Sequence, residues 1–80
     1  DVMAVSPGSD WLAFGKKDNV IGMIPVEGNE QGFELKGHSG KIRSLVFSYD
    51  GRYLYSAALD GRVLKWDLTA RTSTDVEQEG

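Results

Sequence analysis

Turns in this chain recur at a fixed distance. A shift of 42 positions carries Ser6 onto Ser48, Trp11 onto Tyr53, Leu12 onto Leu54, Asp18 onto Asp60 and Ile21 onto Val63. Identities between the two copies are few, yet the order of strand, turn, strand, turn, strand, loop, strand is kept in both. A period of about 40 residues built from short elements marks an array of like units. Each unit has two broad faces that it cannot bury alone, so the units must stack.

Within each unit, short apolar stretches are separated by Gly, Asp, Asn, Pro and Ser, which is the spacing of strands joined by turns. The first series is VMAV, WLAF, VIGMI and GFELK, with turns at SPGSD and KKDN and a looser loop at VEGNEQ. The second is KIRSLVF, RYLYSAA, RVLKWDL and TDVE, with turns at SYDG and LDG and a looser TARTS. No stretch reads as a helix. The apolar runs mostly lack strict alternation, which predicts strands covered on both faces. The expected fold is all-β, with two four-stranded antiparallel units over residues 1–36 and 37–80.

At 80 residues, with 40% hydrophobic and 10% aromatic content, the chain has material for at most one small domain. A chain of this size buries only about 60% of the surface its unfolded form exposes, so its core needs support. It has no cysteine, which removes disulfides, a thiolate nucleophile and a cysteine zinc site as sources of that support. The net charge of -3 offers no broad basic field for nucleic acid or an anionic membrane, although Lys41, Arg43, Arg52 and Arg62 make one half locally more basic. The apolar runs are too short to span a membrane, and nothing at the start reads as a signal peptide. A cytoplasmic setting is the expectation, with the missing cysteines in its favour.

Gly37-His38, FSYDG at 47–51, Ser56, Asp60-Gly61 and Trp66-Asp67 together resemble one complete WD repeat of a β-propeller. The period of about 40 to 45 residues is that family's. The first unit resembles it through period, turn placement and Asp18, with Ile24-Pro25 in place of the Trp-Asp pair and Phe14 in place of the serine. The second unit also departs from the pattern: Tyr49 replaces the usual proline, SAA replaces a small-residue SGS, and Leu64-Lys65 reverses the common order before the tryptophan. That reversal places the Lys65 ammonium between units. The resemblance implies two propeller blades.

It also implies that His38, Ser56, Asp60 and Trp66 form a buried structural hydrogen-bond network. The donors and acceptors close without the family: the aspartate accepts from the imidazole, the imidazole from the serine hydroxyl, and that hydroxyl from the indole N–H. Asp18, without such partners, is expected only to cap its turn. The rival reading is a hydrolase, since Ser56, His38 and Asp60 are the residue types of a Ser-His-Asp triad. A nucleophilic serine needs an exposed hydroxyl near oxyanion donors, commonly on a glycine-flanked elbow, and LYSAAL is a plain strand. The expectation is therefore no catalytic residue. One histidine and scattered carboxylates give no metal spacing, and the glycines form no phosphate loop, so no metal and no cofactor are expected. Tyr53 and Tyr55 share one strand face and are expected to pack between units rather than to stack a nucleobase.

The resemblance implies a non-enzymatic platform that binds proteins or peptides on the face carrying the histidine loops. The positions that commonly make contacts there correspond to Lys41, Arg43 and Leu59, with Lys17 in the place of Leu59 in the first unit. Three cations beside one exposed leucine suit an acidic segment with an apolar anchor. Rings of the family hold about four to eight blades, and two blades alone would bare an apolar face at each end. The chain is accordingly expected to be an arc of a longer propeller, to close a ring by head-to-tail assembly of three or four copies, or to fold poorly alone. An arc that self-associates is favoured, and the alternative to a binding role is a purely structural arc whose binding site lies on other blades.

Overall fold

The computed structural model describes residues 2–8, 10–26 and 31–76. Its strands are β1 Met3–Val5, β2 Trp11–Gly15, β3 Val20–Pro25, β4 Phe33–Lys36, β5 Ile42–Phe47, β6 Tyr53–Ala58, β7 Val63–Asp67 and β8 Thr72–Asp75. They form two antiparallel meanders, β1-β2-β3-β4 and β5-β6-β7-β8. The all-β fold of two four-stranded sheets is thus as expected from the sequence.

The repeat has a physical basis in the first turn of each sheet. The Ser6 amide donates to the Trp11 carbonyl at 2.9 Å, and the Ser6 hydroxyl accepts from the Trp11 amide at 3.0 Å. Ser48 and Tyr53 make the same two bonds at 2.8 and 3.0 Å. A serine at this position satisfies the amide that follows the turn, which is why it recurs 42 residues on. The second turn is less well kept. In the first sheet it is a single 3₁₀-type turn at Lys17–Asn19, with Asp18 and Asn19 both left-handed at φ 66 and 64. In the second sheet only Gly61, at φ 81, is left-handed there. Among the described residues the Asp18 carboxylate makes no hydrogen bond, so it does not cap its turn as expected.

The outer strands also depart from the 42-residue shift. Gly22 faces Glu34 across β3 and β4, whereas Leu64 faces Asp75 across β7 and β8. The connection is therefore one residue shorter in the second sheet. The last strand starts at Thr72, ahead of the TDVE stretch, directly after Arg71 at φ 59. All four residues of β8 are exposed, so its position follows backbone pairing rather than burial.

Side-chain period then decides what each face covers. Ala13 pairs with Met23 and Ile21 with Leu35 on one face of the first sheet. Leu54 pairs with Trp66 and Ser56 with Leu64 on one face of the second. The apolar residues of these pairs, with Ile42 and Leu45, make one core cluster, and Val2, Ala4, Trp11, Phe33, Phe47, Ala58 and Leu68 pack against it. The Arg71 guanidinium sits 3.9 Å from the Phe33 ring centroid, a cation–π contact between the sheets, and Trp11 meets Phe33 edge-on at 5.3 Å.

The opposite faces are only partly covered. Strands β6 and β7 alternate buried with half-buried residues, so the expected coverage of both faces is met on one. Lys65 lies on the half-buried side, where its ammonium stands 4.2 Å from the Tyr53 ring centroid. An aromatic face takes the place of a carboxylate as its partner.

Candidate functional site

Four elements converge on the polar cluster of the second sheet. Ser56 is central in β6, Trp66 lies diagonally across from it on β7, Asp60 occupies the turn between those strands, and His38 stands in the loop that enters β5. Trp66 Nε1 donates to Ser56 Oγ at 2.8 Å, Ser56 Oγ lies 2.7 Å from His38 Nε2, and His38 Nδ1 lies 3.1 Å from Asp60 Oδ2. With the indole donating into the serine oxygen, the hydroxyl proton goes to Nε2, and Nδ1–H donates to the carboxylate. Every buried side-chain polar atom among the described residues has a partner.

Asp60 also anchors the loop itself. Its Oδ2 accepts from the Ser39 amide at 2.9 Å and its Oδ1 from the Arg62 amide at 2.9 Å. The Ser39 amide is the largest influence holding this carboxyl far below the ordinary carboxylate range, followed among the favourable ones by the Arg62 amide and His38, against a partial loss of hydration. The Leu59 amide donates to the Lys41 carbonyl at 2.8 Å, and a side chain at Gly40 would run into the Asp60 backbone. The loop is thereby clamped over the turn.

Chemically, this arrangement is closed. Ser56 is 1% exposed and faces the core, and its oxygen is already held between an indole and an imidazole. The indole N–H takes up one lone pair of that oxygen, and the hydroxyl is out of contact with solvent, where a nucleophilic serine needs an exposed one. No group of three metal-ligating side chains occurs among the described residues.

The other candidates lie at the same end of the sheets, on the surface. Lys41, Arg43, Leu59 and Lys17 are all exposed, Leu59 at 66%. A cleft of about 530 Å³ opens there between the sheets, lined by Val2, Met3, Gly15, Lys16, Lys41, Ile42 and Arg43. It brings Lys41 and Arg43 together and leaves Lys17 and Leu59 outside. It also adds Lys16, which sequence reasoning passed over because the shift of 42 sets it on Ala58, a residue with no charge to flag.

This geometry has close relatives. The chain is similar to the β-propeller domain of Cps50 (Swd1) from Myceliophteria thermophila, with a TM-score of 0.86 and 31% identity, covering 99% of this chain and 25% of that one. Residues 29–67 match the WD domain, G-beta repeat family. The chain belongs to the WD-repeat family. It is 35% identical over 68 residues to human WD repeat-containing protein 36, covering 85% of this chain and 8% of that protein. It is 40% identical over 60 residues to the U3 small nucleolar RNA-associated protein 21 homolog of Schizosaccharomyces pombe, covering 75% and 7%. With mouse cilia- and flagella-associated protein 57 it shares 47% over 51 residues, 64% and 4% of the two chains. The WD-repeat chain thus spans less than a tenth of the length of these relatives.

Proposed function

We propose that this pair of blades is a non-catalytic arc of an interaction platform, presenting Lys17, Lys41, Arg43 and Leu59 to a protein or peptide partner. WD-repeat proteins generally act as scaffolds for protein interactions, and one observation carries that role to these residues. The polar cluster that resembles a triad is buried and fully hydrogen-bonded, while the cations and leucine at the same end of the sheets are exposed. A peptide array probed with the 80-residue chain and with its Lys41→Ala and Arg43→Glu variants tests it. Retained peptides should weaken in both variants. Hydrolysis of a p-nitrophenyl ester that vanishes in Ser56→Ala, with the fold kept, would replace this reading with the hydrolase.

The platform reading extends to the outer faces. Met3, Val5, Leu12, Phe14 and Ile24 form the bare side of the first sheet and correspond to Leu45, Phe47, Leu54, Ser56 and Trp66, which are packed inside. Val46, Tyr53, Tyr55 and Val63, on the bare side of the second sheet, correspond to Ala4, Trp11, Ala13 and Ile21, which are packed inside. Each bare face is therefore the repeat-equivalent of a face already in contact with its complement. Such faces join head to tail, and copies of this chain would supply them to one another in a ring of three or four.

A further inference from the structure

We infer that the cleft between the two sheets is the seat of a short acidic peptide carrying one apolar side chain, an inference that rests on the platform reading above. The chain as a whole is acidic, at -3, yet the charged residues lining this cleft are Lys16, Lys41 and Arg43, all cations. Lys16 is ion-paired with Glu34. Among the described residues, Lys41 and Arg43 have no carboxylate within ion-pair distance. A local positive field on a negative body steers an acidic ligand to one place.

The apolar part of the ligand follows from the floor. Val2 comes from the first sheet and Ile42 from the second, and Gly15 closes the gap between them so tightly that an added Cβ would lie 3.0 Å from Val2 Cγ1 and 3.3 Å from Ile42 Cβ. Met3, exposed at 62%, forms one wall. Ile42 is already buried, so an aliphatic side chain set over it gains by removing half-buried Val2 and exposed Met3 from water, while carboxylates to either side reach the cations above. A volume of about 530 Å³ falls within the usual range of about 300 to 1,000 Å³ for a ligand cleft. A nucleic acid fits less well, because no aromatic ring lines the cleft to stack a base and its apolar floor would stay bare.

The test is a fluorescence-anisotropy titration of the 80-residue chain with three labelled, end-blocked pentapeptides, EELEE, QQLQQ and EESEE, with circular dichroism on every variant. EELEE should bind about 10-fold more tightly than either analogue, and its affinity should fall as salt rises. Lys41→Gln and Arg43→Gln should each weaken it about 5-fold, and Arg52→Gln, at the opposite end of the sheet, less than about 2-fold. Equal affinity for EELEE and QQLQQ overturns the acidic class; if that common binding still falls in Lys41→Gln and Arg43→Gln, the platform reading survives it. EELEE binding that ignores both variants, or no binding of any of the three, overturns the seat, and the peptide array then decides separately whether the rim binds other sequences.

Discussion

The Phe14 ring lies across Gly22 on the outer face of the first sheet, where the second sheet has Ser56 opposite Leu64. These are equivalent cross-strand pairs with large and small exchanged: a Cβ on Gly22 would come within 2.5 Å of Phe14 Cζ. The exchange explains how the first blade does without the polar cluster. An aromatic ring fills the space over Gly22, and this pair carries no hydroxyl, imidazole or indole N–H to be satisfied.

That relationship predicts a rescue. Phe14→Ser should destabilise the chain by about 2 kcal/mol, since the ring is half-buried, and Gly22→Leu by about 1 to 3 kcal/mol through overpacking. The double variant restores the size order of Ser56 and Leu64, so it should cost clearly less than the two single changes together. Urea unfolding of the four proteins measures this, and strict additivity would mean that the two residues are not complementary.

Ser56→Ala strands the Trp66 N–H and leaves His38 Nε2 without its donor, both in a buried setting. The expected loss is about 1 to 3 kcal/mol. Trp66→Phe should relieve part of the penalty in that background, because the unpaired N–H goes with it, so the two changes should be less than additive in denaturant titrations.

Acid should act through Asp60. Its folded carboxyl titrates below the unfolded one, so the stabilisation is fully present above about pH 4 and is lost as pH falls toward the depressed folded value. Asp50, lowered chiefly by the Ser48 hydroxyl and then by the Arg52 amide, works in the same direction. Asp60→Asn should therefore flatten the dependence of unfolding midpoint on pH between pH 2 and 4 without abolishing it. An unchanged slope would mean that the carboxylate contributes the same free energy charged or neutral.

Different parts of the molecule were legible to different degrees, for physical reasons. Repeated turn serines and the spacing of His38, Ser56, Asp60 and Trp66 are local signals, because each residue type is required by a particular hydrogen bond. The trade of Phe14 and Gly22 against Ser56 and Leu64 depends on cross-strand register, which single residues do not reveal. Strand β8 buries nothing, so no apolar pattern marks its start, and Asp18 resembles Asp60 in sequence while its turn takes a different backbone course. Lys16 became visible only when the two sheets were set side by side.

Assembly provides the last prediction. If the bare faces are equivalents of the packed ones, the chain in isolation should run as a discrete species of three or four copies by light scattering after size exclusion, with strand signal in circular dichroism. Val46, 57% exposed, and Tyr55 sit opposite each other on the bare face of the second sheet. Val46→Glu or Tyr55→Glu would bury a carboxylate in that contact without partners, at a cost of several kcal/mol, and should shift the mass toward the monomer. Because both residues lie away from the core side of the sheet, the strand signal should remain. A wild-type monomer with full strand signal would overturn the head-to-tail contact, since a stable two-blade unit would then tolerate both faces in water.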